Sequence, residues 1–140
     1  MNHLTTGEIV QLIWDTIKRS PLAEAVPDMY RMNHPIVSKQ FQLPKEFIVV
    51  SSLTNVIGEE QIATAIVNIF VHDETPTLSR TEQRFPDVNR LSELSKIAFE
   101  SLKNYPLDTR WFFDVSDETL ISEEDIPYSF SSIKVKLKKY

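Results

Sequence analysis

At the end of the apolar run Ile66-Val67-Asn68-Ile69-Phe70-Val71 stand His72, Asp73 and Glu74, three side chains that could hold a metal ion or move protons. A facial metal triad needs two histidines and a carboxylate converging on one ion. Consecutive residues of an extended strand point to opposite faces, so His72 and Asp73 are not expected to meet there. The remaining histidines, His3 and His34, lie in distant segments with no ligand spacing to help. The expectation is a strand end reaching water.

A second candidate is acidic. Asp114, Asp117 and Glu118, followed by Glu123, Glu124 and Asp125, suggest a two-metal nuclease or hydrolase, whose carboxylates hold cations about 4 Å apart. Such sites usually place a lysine or histidine beside the acids. Pro27-Asp28 and Pro86-Asp87 invite a restriction-type reading, yet neither is followed at suitable spacing by an Asp/Glu-x-Lys triplet, and Glu93 to Lys96 has the wrong spacing. Solvated turns explain the acids more cheaply. A third candidate is basic: Lys134, Lys136, Lys138 and Lys139 lie on one strand that could touch nucleic acid or an acidic partner. The competing account is that the lysines guard an edge strand against unwanted pairing. Trp14, Trp111, Phe112 and Phe113 fall on amphipathic or buried elements and are expected in the core, not on a base-stacking platform.

Composition narrows the chemistry further. With 140 residues, 41% hydrophobic and 25% charged, the chain is expected to form one soluble domain over 1–140. It has no cysteine, which removes thiolate metal sites, iron–sulfur clusters and cysteine nucleophiles. The net charge of −5 argues against a general nucleic-acid binder, and no sequence-specific nucleic-acid partner is expected. Glycine occurs only at Gly7 and Gly58, so phosphate loops of the P-loop and Rossmann kinds, and a Gly-x-Ser-x-Gly elbow, cannot be built. No basic leader precedes an apolar run and no stretch of about 18 apolar residues occurs; neither a secretion signal nor a membrane span is expected. No catalytic residue, metal or cofactor is expected.

These residues need elements to hold them. Thr5-Thr6-Gly7-Glu8 is a capping box that should start a helix buried through Ile9, Val10, Ile13, Trp14 and Ile17. Ser20-Pro21 can restart a short helical turn that Pro27 closes. Residues 28–43 hint only at an irregular strand around Tyr30 and Met32. Phe47 to Val50, extended to Leu53, reads as a strand covered on both faces. Gly58-Glu59-Glu60 turns the chain into a longer strand, Gln61 to His72, with two apolar faces that place it near the sheet centre. Asp73 to Pro86 looks like an exposed loop or hairpin arm. Asp87 can cap a second helix with a stripe of Val88, Leu91, Leu94 and Ala98, widened by Ile97 and Leu102. Strands follow over Arg110–Val115 and Tyr128–Leu137, the last alternating Ile133, Val135 and Leu137 with lysines. The expected fold is α+β: a mostly antiparallel twisted sheet of four to five strands with two amphipathic helices on one face.

The helix ending in S-PLAEAV, the pair EFIVVSSL and EQIATAIVNIFVHDE, the helix RLSELSKIAFESL and the closing strand YSFSSIKVKL together resemble small tail-completion or tail-terminator proteins of long-tailed bacteriophages and prophages. The resemblance runs from about Glu8 to Leu137 and lies in the order of elements. It implies a virion structural protein, without catalytic residues, that forms a homo-oligomeric ring, commonly of six, at the head-proximal end of the tail tube. It implies tube and neck proteins as partners, and a location in the virion or, during assembly, the host cytoplasm. Contact with neighbours would fall on the arm and its root, His72, Asp73, Glu74, Arg80 and Arg84, and on Lys134, Lys136, Lys138 and Lys139. Two other classes compete: the nuclease or hydrolase using the acids of 114–125, and a small adaptor binding a partner through Lys134 to Lys139.

Overall fold

A computed structural model of the chain describes residues 3–35, 42–74, 85–103 and 111–139. Helix α1, Thr6–Lys18, opens on the expected capping box: Glu8 N–H donates to Thr5 Oγ1 at 3.2 Å and Thr5 N–H donates to Glu8 Oε1 at 3.0 Å. Its apolar stripe of Ile9, Val10, Ile13 and Ile17 is buried. Pro21 then begins a one-turn helix α2, Pro21–Ala25, which buries Leu22. The strands are β1 Met29–Arg31, β2 Glu46–Val56, β3 Ile62–His72, β4 Trp111–Ser122 and β5 Tyr128–Lys139, with helix α3, Val88–Lys103, between β3 and β4.

The architecture is α+β, with three helices and one five-stranded mixed sheet in the order β1-β2-β3-β5-β4. Only β1 pairs in parallel, with β2; every other pair is antiparallel. β3 sits at the centre, as its two apolar faces require. Helices cover one face, where Ile48, Val50, Ala63, Ala65, Val67, Ile69, Ile133, Val135 and Leu137 meet the buried stripes of α1 and α3 in the main core. Each fully buried aliphatic side chain there contributes about 1.5–3 kcal/mol relative to exposure.

One buried polar residue fastens the helix layer to the sheet. Gln61 Nε2 donates to Leu4 C=O at 2.6 Å and to Asn55 Oδ1 at 2.7 Å, while Gln61 Oε1 accepts from Leu4 N–H at 2.8 Å. The residue before the α1 cap is thereby tied to the β2–β3 hairpin.

Four expectations change. The lysine strand β5 is not an edge: it lies between β3 and β4, so its lysines do not guard an edge. The edge is β4, which runs on to Ser122 because Asp114, Asp117 and Glu118 are strand residues rather than turn residues. Val88 is exposed outside the α3 stripe, as the first residue of the helix, and burial begins at Leu91. Phe112 is 39% exposed, since it alternates with buried Trp111 and Phe113 and so falls on the face without helices. Residues 28–35 form only the three-residue β1, which stops where Met32 turns left-handed at φ 67°. No helix among the described residues is long and apolar enough to cross a membrane.

Candidate functional site

The helix-free sheet face carries two chemically distinct halves. Alternation places Lys134, Lys136 and Lys138 of β5 there, and the register of β4 sets Asp117 opposite Lys134 and Asp114 opposite Lys136. Lys134 Nζ lies 3.9 Å from Asp117 Oδ2. Two of the acids and three of the lysines therefore stand in adjacent columns of one surface, with Lys138 opposite Phe112. Cross-strand opposite charges of this kind contribute roughly 0.2–1 kcal/mol per pair. Glu118 points the other way. A bulge between Val115 and Asp117 puts it on the helix face, where Ser131 Oγ donates to its Oε1 at 3.1 Å. Ser131 in turn pairs with Ser95 of α3 at 2.6 Å. Glu123, Glu124 and Asp125 belong to the β4–β5 turn. The six acids are thus divided among a sheet face, a helix-side hydroxyl pair and a turn. Lys139 ends β5, where it pairs with Trp111 of β4.

The other half of this face is aromatic. Phe47 stacks on Phe70 with centroids 4.6 Å apart, and Phe70 stacks on Phe130 at 4.5 Å. Tyr30 and Tyr128 meet Phe47 edge-on at 5.7 and 5.4 Å. Both histidines near it serve as rings: His34 packs against Phe47 and Phe70, and His72 packs on Tyr128 at 5.0 Å. The Tyr128 hydroxyl donates to Pro44 C=O at 2.7 Å. Burial first, then the negative charge of Asp28, raises the Tyr30 phenol above its ordinary value; burial first, then Tyr30, does the same to Tyr128. Between the two halves Asn68 Oδ1 is buried and accepts no hydrogen bond among the described residues.

His72, Asp73 and Glu74 separate as strand geometry requires. His72 turns to the aromatic side, with Nδ1 2.7 Å from Asp73 C=O. Asp73 is 7% exposed and its Oδ1 accepts from Ser129 Oγ at 2.7 Å. Glu74 is exposed and exchanges two backbone hydrogen bonds with Phe85, 2.8 and 2.9 Å; the expected arm between them, residues 75–84, lies outside the described residues. Arg80 and Arg84 lie outside the described residues. Among the described residues no three His, Asp or Glu side chains are placed to hold a metal ion.

His72 does reach a cavity, though with other company. An open pocket of about 410 Å³ lies where the β2 start, the β3 end, the α2–β1 corner and the α3 start meet, lined by Ala25, Val26, Pro27, Asp28, Pro44, Lys45, Glu46, Val71, His72 and Asp87. Glu46 is held by Arg90, whose Nε and Nη2 donate at 2.6 and 2.8 Å. That hydrogen-bonded pairing raises the guanidinium pKa further above its already high value. Asp87 Oδ1 accepts from Arg90 N–H at 3.1 Å and so caps α3.

No protein-family model matches the chain, and no curated protein matches it.

The pocket and the aromatic cluster went unseen in the sequence for different reasons. Phe47, Phe70 and Phe130 sit in apolar runs where either face could have been the core. The pocket's charges come from three separate segments, although a shared signal exists: Asp28, Lys45 and Asp87 each follow a proline. Asp28 and Asp87, the aspartates of the two Pro-Asp pairs that invite a restriction-type reading, line one cavity.

Proposed function

We propose that the chain is a non-catalytic assembly subunit of a phage or prophage tail, a tail-completion or tail-terminator protein that closes into a homo-oligomeric ring at the head-proximal end of the tube. The observation that carries the proposal is an open sheet with two unlike edges. A ring needs a heterologous contact, in which one surface meets a different surface of the next subunit. The β4 edge is twelve residues long and the β1 edge three.

Long free edges invite pairing unless they are blunted. Asp114, Asp117, Glu118 and the bulge blunt the first half of β4. Thr119 to Ser122 is uncharged, and Leu120 and Ile121 are 44% and 42% exposed. The Glu74–Phe85 bridge supports a second contact surface, just beyond the end of β3. The nuclease alternative loses support, because Asp114 and Asp117 face lysines while Glu118 faces α3.

A charge at the uncharged end of the edge should oppose subunit joining without unfolding the monomer. Ile121→Lys is expected to shift native mass spectra from rings to monomer while circular dichroism is unchanged. Rings that persist in that variant would place the joining surface elsewhere.

A further inference from the structure

We infer that the pocket at the Pro27, Pro44 and Asp87 corners binds a cation carried on an aliphatic stem, an alkylammonium or alkylguanidinium of the kind a lysine or arginine side chain presents. Its chemistry is lopsided. Three carboxylates, Asp28, Glu46 and Asp87, face one lysine, Lys45. Glu46 is already satisfied by two short hydrogen bonds from Arg90. Asp87 spends one oxygen on the α3 cap, which leaves the other for a ligand. Asp28 makes no ion pair among the described residues. Two carboxylates therefore remain against one ammonium. An anionic ligand would meet net repulsion, whereas a cation gains charge-assisted hydrogen bonds.

The walls favour a stem. Ala25, Pro27 and Pro44 give apolar surface on which methylenes can lie while the charged end reaches the carboxylates. A bare divalent ion has less to gain, since no three acidic or histidine side chains are placed for it among the described residues. The rim is also held in place before any ligand arrives. Asp28 C=O accepts from Ile48 N–H at 2.9 Å, and Lys45 C=O accepts from His72 N–H at 2.9 Å. The prolines fix φ beside each of the three charged residues. Preorganisation of this kind lowers the ordering cost of binding.

The test is titration of the full chain, followed by ¹H–¹⁵N spectra, with two amines of equal stem length and one acid. Nα-acetyl-lysine methylamide mimics a partner's side chain, cadaverine is a free amine, and Nα-acetyl-glutamate methylamide reverses the charge. Saturable shifts confined to Asp28, Lys45, His72 and Asp87 are expected from at least one amine and from neither magnesium nor the acid. The tighter amine identifies the source, peptide side chain or free diamine. Asp28→Asn with Asp87→Asn should weaken the amine roughly tenfold or more. Asparagine caps a helix as well as aspartate does, so the fold is retained. Lys45→Gln should tighten binding by about threefold, as removal of a like charge predicts. Equal shifts from the acid, saturation by magnesium alone, an unaffected double variant or weaker binding in Lys45→Gln would each overturn the assignment. The readout needs no second subunit, so it stands or falls separately from ring assembly.

Discussion

The phenols of Tyr30 and Tyr128 couple the aromatic half of the sheet face to pH. Both titrate above the ordinary tyrosine value because burial disfavours the phenolate, reinforced by Asp28 at Tyr30. A folded-state pKa raised above the unfolded one contributes stability that is fully present below the unfolded value, about 10, and is lost as pH rises through the folded value. Urea midpoints should therefore hold level from about pH 7 to about pH 9 and fall above about pH 10. The fall should be shallower in Tyr30→Phe, which removes one phenol and no hydrogen bond seen in the structure. An identical alkaline fall in that variant would show that Tyr30 plays no part. At this scale the divergence of His72 and Asp73 was legible from strand alternation alone. Their partners were not: that His72 packs on Tyr128 and Asp73 accepts from Ser129 depends on a β3–β5 register joining residues more than fifty positions apart.

Elements were the most legible level, because each carries its own local signal. The α1 capping box, the proline restart of α2, the Gly58 turn and the aspartate cap of α3 were all readable as short patterns, and all form. What failed was order in the sheet. Alternating lysines in β5 are equally consistent with an edge strand or with an interior strand whose one face is wet, and only the pairing of β4 outside it decides. Gln61 illustrates a link between elements that no pattern announces. Its amide accepts from Leu4 N–H and donates to Leu4 C=O, a carbonyl that Asn55 Nδ2 also reaches at 3.2 Å, so Gln61→Ala strands the Leu4 donor at the start of α1. The expected cost is about 1–3 kcal/mol, read as a lowered urea midpoint together with faster hydrogen exchange at Leu4. A loss under about 0.5 kcal/mol would mean that water replaces the amide there.

For the whole molecule, the charge pattern alters the sense of both candidate sites read from composition. Asp114 and Asp117 stand across from Lys136 and Lys134, so two of the three lysines on this face meet an acid while Lys138 stands across from Phe112. The twelve-residue β4 edge, the Glu74–Phe85 bridge and the pocket at the Pro27 corner stand apart from that face. Under the proposed function they serve as contacts for other chains. The most direct test is native mass spectrometry with negative-stain microscopy of the full chain, alone and with purified tail tubes. Closed homo-oligomeric rings, free or seated on tube ends, are the predicted result. A strict monomer at high micromolar concentration that also leaves tube ends bare would contradict the account.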